Sequence, residues 1–409
     1  MAGLWARLPR WALAVADQGV VAVTNLLLLI VITQVSGVSA LGHFAVITAT
    51  ILIALGLTRL LVCDPWLASR TASRTPGTEL RSLVLAASVL TIFLVGAVIL
   101  ISSIGDGRWY LACLVAPVVV VQDFGRYCAF RDERPAWALA SDSSVLVAGA
   151  LLFGVFAFLG TVGLTAVLLS WAFGLVVGAI VVAPRFAGPV ALHGAVGWWR
   201  RFCRPLATKL ALDGVAFLVA VNGSLYLLAY LGTPQDVGSV RIVQSVFSPA
   251  MLTITGLTMW LVPFLANRGS SQASHMRRRV TVWLGVGSVP AVTVAVLLGP
   301  WFARVVFGVA DPPSTLALSL AGLSTIALAV SAPWVASARV TGHYTPIAWT
   351  RALSAAVTWA GMIFIVALRS TTGYLGLLAL QSIMIGTTSI FIGVRDSRRT
   401  LSRELSDAD

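Results

Sequence analysis

Two sets of polar side chains interrupt otherwise apolar stretches of this chain, and their types suit ion and phosphate chemistry. Asp17, in Ala16-Asp17-Gln18-Gly19-Val20, and Asp213, in Leu212-Asp213-Gly214-Val215, each stand near the start of an apolar run. A carboxylate in hydrocarbon is costly, so it normally faces a protein interior, a partner or water, where it could take a proton or a coupling cation. Either acid could instead cap or pair near the head groups, and Lys209 stands four residues before Asp213, a spacing that allows a helix pair. Gln18 and Asn25 are seven residues apart and share a helix face, which could point to a cavity or to a neighbouring helix. Asn222 follows Asp213 much as Asn25 follows Asp17.

The second set is basic. Arg59 precedes Leu60-Leu61-Val62, with Asp64 just beyond, and Arg126 stands in Gln122-Asp123-Phe124-Gly125-Arg126-Tyr127, which runs into Arg131-Asp132-Glu133-Arg134-Pro135. Arg339 and Arg351 flank Thr341-Gly342-His343-Tyr344-Thr345-Pro346. A guanidinium donates paired hydrogen bonds and keeps its charge when partly desolvated, so these positions could hold the phosphate of a lipid-linked molecule. The plainer alternative makes the arginines orientation determinants, and makes Asp123 with Arg126 an ordinary i, i+3 helix pair.

Such residues need a scaffold, and composition says which kind. The chain has 409 residues, 58% hydrophobic and only 11% charged, against roughly a quarter charged in soluble domains. That excludes a water-soluble globular protein. A net charge of +13 would suggest nucleic acid in a soluble chain, but here the basic residues must lie in loops facing lipid head groups. No nucleic-acid partner is expected; membrane lipids are.

Apolar runs fall at 12–33, 40–62, 82–104, 109–130, 138–160 and 163–184, then at 206–231, 236–265, 280–303, 314–338, 346–368 and 374–394. Each is long enough for a transmembrane helix. With a cytoplasmic N-terminus, only Arg108, Arg241, Arg304 and Arg369 of the 28 basic residues fall outside, as the positive-inside rule demands. A signal peptide cleaved after Val38-Ser39-Ala40 is the competing reading of the start, but Asp17, Gln18 and Asn25 interrupt its apolar core.

The longest internal polar link, 185–205, contains Gly197-Trp198-Trp199-Arg200-Arg201-Phe202-Cys203-Arg204-Pro205 and suits the membrane interface. It divides the chain into an N-terminal six-helix lobe (1–184), a C-terminal six-helix lobe (206–394) and a cytoplasmic tail (395–409). The similar starts of the two lobes fit a duplicated unit, whose even span number implies a repeat axis along the membrane normal and a central cavity.

Enzymatic readings fail on spacing. The chain has no His-Glu-x-x-His and no Gly-x-Ser-x-Gly, its histidines are scattered, and its only lysine, Lys209, is not in a P-loop. Cys63, Cys113, Cys128 and Cys203 form no Cys-x-x-Cys and imply neither a metal site nor a disulfide framework. No catalytic residue, metal or cofactor is expected, apart from coupling to H⁺ or Na⁺.

The opening Ala-Asp-Gln-Gly-Val-Val-Ala-Val-Thr-Asn (16–25) and Gly37-Val38-Ser39-Ala40-Leu41-Gly42-His43-Phe44 resemble the start of polysaccharide and O-antigen flippases of the multidrug/oligosaccharidyl-lipid/polysaccharide (MOP) exporter superfamily. The junction 122–137 and Leu298-Gly299-Pro300-Trp301-Phe302-Ala303-Arg304-Val305-Val306-Phe307-Gly308 are also similar to that family. The resemblance implies an all-α polytopic membrane protein of about twelve transmembrane helices, in two six-helix lobes around a central cavity, MATE-like in fold. It implies a flippase; the near-exclusive use of arginine over lysine points to a bacterial source and so to the inner membrane, and the positive-inside count puts both termini in the cytoplasm. Such a protein moves a polyprenyl-pyrophosphate-linked oligosaccharide to the outer leaflet, with cavity arginines attracting the pyrophosphate and a cation gradient driving the cycle. The site expectation is Arg59, Arg126, Gln18, Asn25, Asn222, Arg339 and Arg351 for substrate, and Asp17 and Asp213 for the coupling ion. A cation-coupled drug or metabolite exporter, or an assembly subunit bound to other envelope-polysaccharide proteins, are the alternatives.

Overall fold

A computed structural model of the chain describes residues 10–68, 77–101, 107–132, 134–191, 193–266, 270–341, 344–367 and 371–406. Among these residues every regular element is helical. The first helical run, Arg10–Thr58, has 49 residues, and a straight α-helix of that length would span about 74 Å, more than twice the bilayer core of about 30 Å. Gly37 resolves the mismatch. Its φ of 82° and ψ of 174° lie where side chains other than hydrogen are strained, and it parts the run into α1 (residues 10–36) and α2 (residues 38–58).

Helix α2 passes into a π-turn, Arg59–Cys63, and a short helix, Asp64–Ala68. There follow α3 (Thr78–Ile101), α4 (Ala112–Arg131), α5 (Ala136–Phe158), α6 (Leu164–Val182), the short α7 (Ala195–Phe202) and α8 (Arg204–Leu218). A second π-turn, Val219–Gly223, leads to α9 (Ser224–Leu231), then α10 (Pro234–Ala266), α11 (Ser270–Val306), α12 (Thr315–Thr341), α13 (Tyr344–Ala367) and α14 (Thr371–Ser406). Ten segments among the described residues are long and apolar enough to cross a membrane, and the first of them, Val15–Trp66, contains the Gly37 break, on either side of which the helix is long enough for one crossing. Helix α13, with 24 residues, is long enough for one more. Each expected span coincides with a helix to within a few residues, apart from two extensions: α11 begins ten residues before its apolar run, and α14 continues to Ser406 through the segment expected as a tail.

The outward faces confirm the solvent. Phe93, Leu100, Phe158, Leu297 and Phe364 are large, apolar and exposed, an arrangement that suits lipid and not water. The chain divides into two compact units, residues 1–218 with 233–238, and residues 219–232 with 239–409. In the first, Trp66, Leu80, Val84, Phe124 and Cys128 form a core between α2, α3 and α4. In the second, Leu261, Leu265, Val280 and Ala336 join α10, α11 and α12. Helices α5 and α6 approach closely through small residues, as membrane helices do. A Cβ on Gly178 of α6 would come within 3.0 Å of Gln122 Nε2 and 3.1 Å of the Ser141 carbonyl oxygen.

Candidate functional site

Four helices of the first unit bring charge into one place. Helix α1 supplies Asp17 and Gln18; the π-turn after α2 supplies Arg59; α4 supplies Gln122, Asp123 and Arg126; α5 supplies Ser141 and Asp142. The α4 residues fall at i, i+1 and i+4, so Gln122 and Arg126 share one stripe while Asp123 turns toward α2. Asp17 is fully buried, and Gln122, Asp123 and Asp142 are each 5% exposed.

Arg126 is the centre. Its Nη2 lies 2.7 Å from Asp17 Oδ2, its Nε 3.1 Å from Asp142 Oδ2 and its Nη1 3.6 Å from Asp123 Oδ1. Arg59 grips Asp123 with both arms of its fork, Nη2 to Oδ1 and Nε to Oδ2 at 2.7 Å. Neutral donors complete the frame: Gln18 Nε2 donates to Asp17 Oδ2 at 3.1 Å, and Gln122 Nε2 donates to Asp142 Oδ1 at 2.9 Å. Ser141 Oγ donates to the Gly178 carbonyl at 2.8 Å, the contact that the missing side chain of Gly178 leaves room for. Tyr127 Oη donates to Asp64 Oδ1 at 2.9 Å.

Two acceptors have no hydrogen-bond donor. Asp17 Oδ1 and Asp142 Oδ2 are both buried without a hydrogen-bond partner, the latter within ion-pair distance of Arg126 Nε, and the Asp17 and Asp142 carboxyls adjoin each other. Around Arg126 stand three carboxylates, Asp17, Asp123 and Asp142, against two guanidiniums, Arg126 and Arg59. Ionised throughout, this core carries one uncompensated negative charge, costly in a membrane interior.

The structure therefore joins Asp17, Gln18, Arg59 and Arg126 of the expected site residues. Asn25 is exposed on α1, outside the cluster. Asn222, in the second π-turn, is half-buried, and Arg351 of α13 is buried; both belong to the second unit. The side chains of Asp213 and Arg339 lie outside the described residues, as does His343. Asp142 is the residue that sequence reasoning passed over. The signal was present: an acid about one helical turn into an apolar run deserves the same suspicion as Asp17. Arg241 of α10 was also passed over; its Nε is buried without a partner and its Nη1 is 3.5 Å from Gln244 Oε1. Among the described residues no group of three or more His, Cys, Asp and Glu is placed to hold a metal ion.

No protein-family profile and no curated protein sequence matches the chain. Solved structures do match. The lipid II flippase MurJ in an inward closed conformation gives a TM-score of 0.66 at 11% identity, covering 93% of this chain and 87% of that one. An inward-facing multidrug resistance MATE family transporter of the MOP superfamily gives 0.63 at 13% identity, covering 93% and 95%. The Vibrio cholerae MATE transporter VcmN in the bent form gives 0.61 at 14% identity, covering 96% and 98%. The chain thus carries, over nearly its whole length, the fold of MATE transporters and of the lipid II flippase, as its sequence resemblance implied.

Proposed function

We propose that this protein is a proton-coupled membrane transporter whose coupling site is the Asp17–Arg126–Asp142 cluster. The carrying observation is the buried excess of one carboxylate, with the partnerless Asp17 Oδ1 beside Asp142. A sodium ion would need the space between the carboxylates, which the Arg126 guanidinium fills; a proton needs only the Asp17–Asp142 contact. Proton binding and release would change what Arg126 is held by, and through Asp123 what Arg59 is held by. Charge on the carboxylates and availability of the guanidiniums are then two sides of one equilibrium, and a ligand that favours one state shifts the other.

The substrate reading is a polyprenyl-pyrophosphate-linked oligosaccharide carried from the inner to the outer leaflet of a bacterial cytoplasmic membrane, with both termini inside. It is supported by the residues that resemble polysaccharide flippases and by the likeness to MurJ. Arg59, whose side chain is 29% exposed, would meet the pyrophosphate when protonation loosens its hold on Asp123. The two lobes divided near 185–205 would alternate access. A drug or metabolite exporter is the second reading, favoured by the full pairing of Arg59 and Arg126 with carboxylates and by the likeness to MATE transporters.

Deleting the gene in source cells and probing the leaflet distribution of lipid-linked oligosaccharide with an impermeant sugar-modifying reagent tests both readings. Inner-leaflet accumulation, reversed by the intact chain but not by an equally well inserted Asp142→Asn variant, is the expected result. Unchanged distribution, with no redundant gene, removes the glycan substrate and directs attention to proton-dependent efflux.

A further inference from the structure

The π-turn that presents Arg59 has a cause and a custodian. In an α-helix, residues five apart point about 140° away from each other, so Arg59 and Asp64 would not share a face. The π-turn closes the Asp64 N–H onto the Arg59 carbonyl and realigns them. Arg59 then meets Asp123 while Asp64 meets Tyr127, and Asp123 and Tyr127 are one turn apart on α4. The geometry of α4 is matched only while the extra residue stays in the turn.

What keeps it there lies 138 residues further on in the chain. The Leu61 carbonyl would receive its α-helical hydrogen bond from residue 65, which is proline and has no N–H. Trp199 of α7 supplies the donor: its Nε1 donates to the Leu61 carbonyl at 2.8 Å. The neighbouring positions are held from the same side. Cys203 Sγ is 4.0 Å from the Val62 carbonyl, and Leu60 lies against Gly214 of α8, where a side chain would have no room. Trp198 and Trp199 also pack on the core that contains Val62, Cys63 and Trp66. The chain leaving the first unit runs through α7 and α8.

We propose that Trp199 is a positioning residue: by satisfying the carbonyl that Pro65 leaves open, it holds the π-turn and with it the Arg59–Asp123 pair, so that the state of the charge cluster is transmitted to the segment leading out of the first unit. Its role in transport rests on the coupling reading above; the mechanical link between Asp123 and α7 does not. When Asp123 loses its charge, Arg59 is released, the π-turn relaxes, and α7 loses its foothold. When Trp199 loses its donor, the same sequence runs in reverse.

Cys203 reports on the foothold. It is fully buried, and burial pushes its thiol up to about 11, so the docked form reacts slowly with maleimide at neutral pH. The test is the maleimide labelling rate of Cys203, read by peptide mapping in the full chain with its native cysteines. Losing one hydrogen bond to a buried carbonyl shifts an opening equilibrium by up to about tenfold. Trp199→Phe and Asp123→Asn should each raise the rate by about that factor, while Asp236→Asn, at an exposed cap, should leave it unchanged. In Pro65→Ala the Leu61 carbonyl regains an intrahelical donor, so Trp199→Phe should then have little further effect, a non-additive cycle. Faster labelling in Trp199→Phe with no change in Asp123→Asn would overturn the proposal, leaving Trp199 an anchor unconnected to the charges. So would an additive cycle, or a Trp199→Phe rate equal to that of the unaltered chain. None of these readouts involves transport: responsive labelling with a fully active Asp142→Asn protein would sink the coupling reading and leave the clasp standing.

Discussion

The two units handle buried arginine in opposite ways. In the first, Arg126 sits among Asp17, Asp123 and Asp142, and Arg59 is forked onto Asp123. In the second, Arg241 meets Gln244 at 3.5 Å and lies near Tyr374, which is itself bonded to Ser224 at 3.2 Å. The difference is written in composition, because between Ser239 and Val394 the only acidic residue is Asp311. Polar contacts among the second unit's described residues include Ser324 with Ser382 at 2.6 Å, and Arg277 on Ser337 at 2.7 Å with Trp334 beneath its guanidinium. Among the described residues, a cluster of carboxylates around a guanidinium belongs to the first unit. In the second, among the described residues, Arg241 meets an amide and not a carboxylate.

Substitutions that treat the two alike should therefore part company. Arg126→Leu leaves three carboxylates around an apolar side chain, and loss of one partner from a buried ion cluster costs about 3–5 kcal/mol. Its measure is thermal unfolding in detergent, with failure to accumulate as the extreme form. Gly178→Ala presses a methyl group on Val145, Gln122 and the Ser141 carbonyl, and overpacking of this kind costs about 1–3 kcal/mol. Gly285→Ala in the second unit meets only Val330 Cγ2, at 3.4 Å, and the same unfolding assay should find it close to neutral. Tyr374→Phe removes one buried hydroxyl while Ser224 Oγ keeps its bond to the Val221 carbonyl at 2.9 Å, so the loss should be about 1 kcal/mol. Arg241→Leu is the sharpest: it strands no carboxylate, and stability should stay within about 1 kcal/mol of the unaltered chain or rise. A loss at Arg241 as large as that at Arg126 would erase the contrast between the units.

Much of the fold was legible because it is local. Apolar runs of bilayer length and the bias of arginine toward one side are properties of neighbouring residues, and the helices follow them. Gly37 was legible as part of a turn between two spans, and the Trp-Arg segment as interfacial. The site was legible as a list of costly residues, Asp17, Arg59 and Arg126, without its pairings. Asp123 with Arg126 looked like an ordinary helix pair and is one edge of a four-helix cluster; Arg59 looked like a phosphate-holding or orienting arginine and binds Asp123. The π-turn that decides this could not be read from Arg59-Leu60-Leu61-Val62-Cys63, since its justification lies partly in Pro65 and partly in Trp199.

The amino-acid sequence by itself determined the solvent, the places of the helices, and the near absence of acids between Ser239 and Val394. These follow from hydrophobicity and hydrogen bonding within one segment, which any stretch of the chain satisfies alone. Only the tertiary structure decided that Arg126 meets Asp17 across 109 residues and that Trp199 meets Leu61 across 138. Such contacts depend on which helix faces pack together and at what depth, and helical periodicity names a face without naming its neighbour.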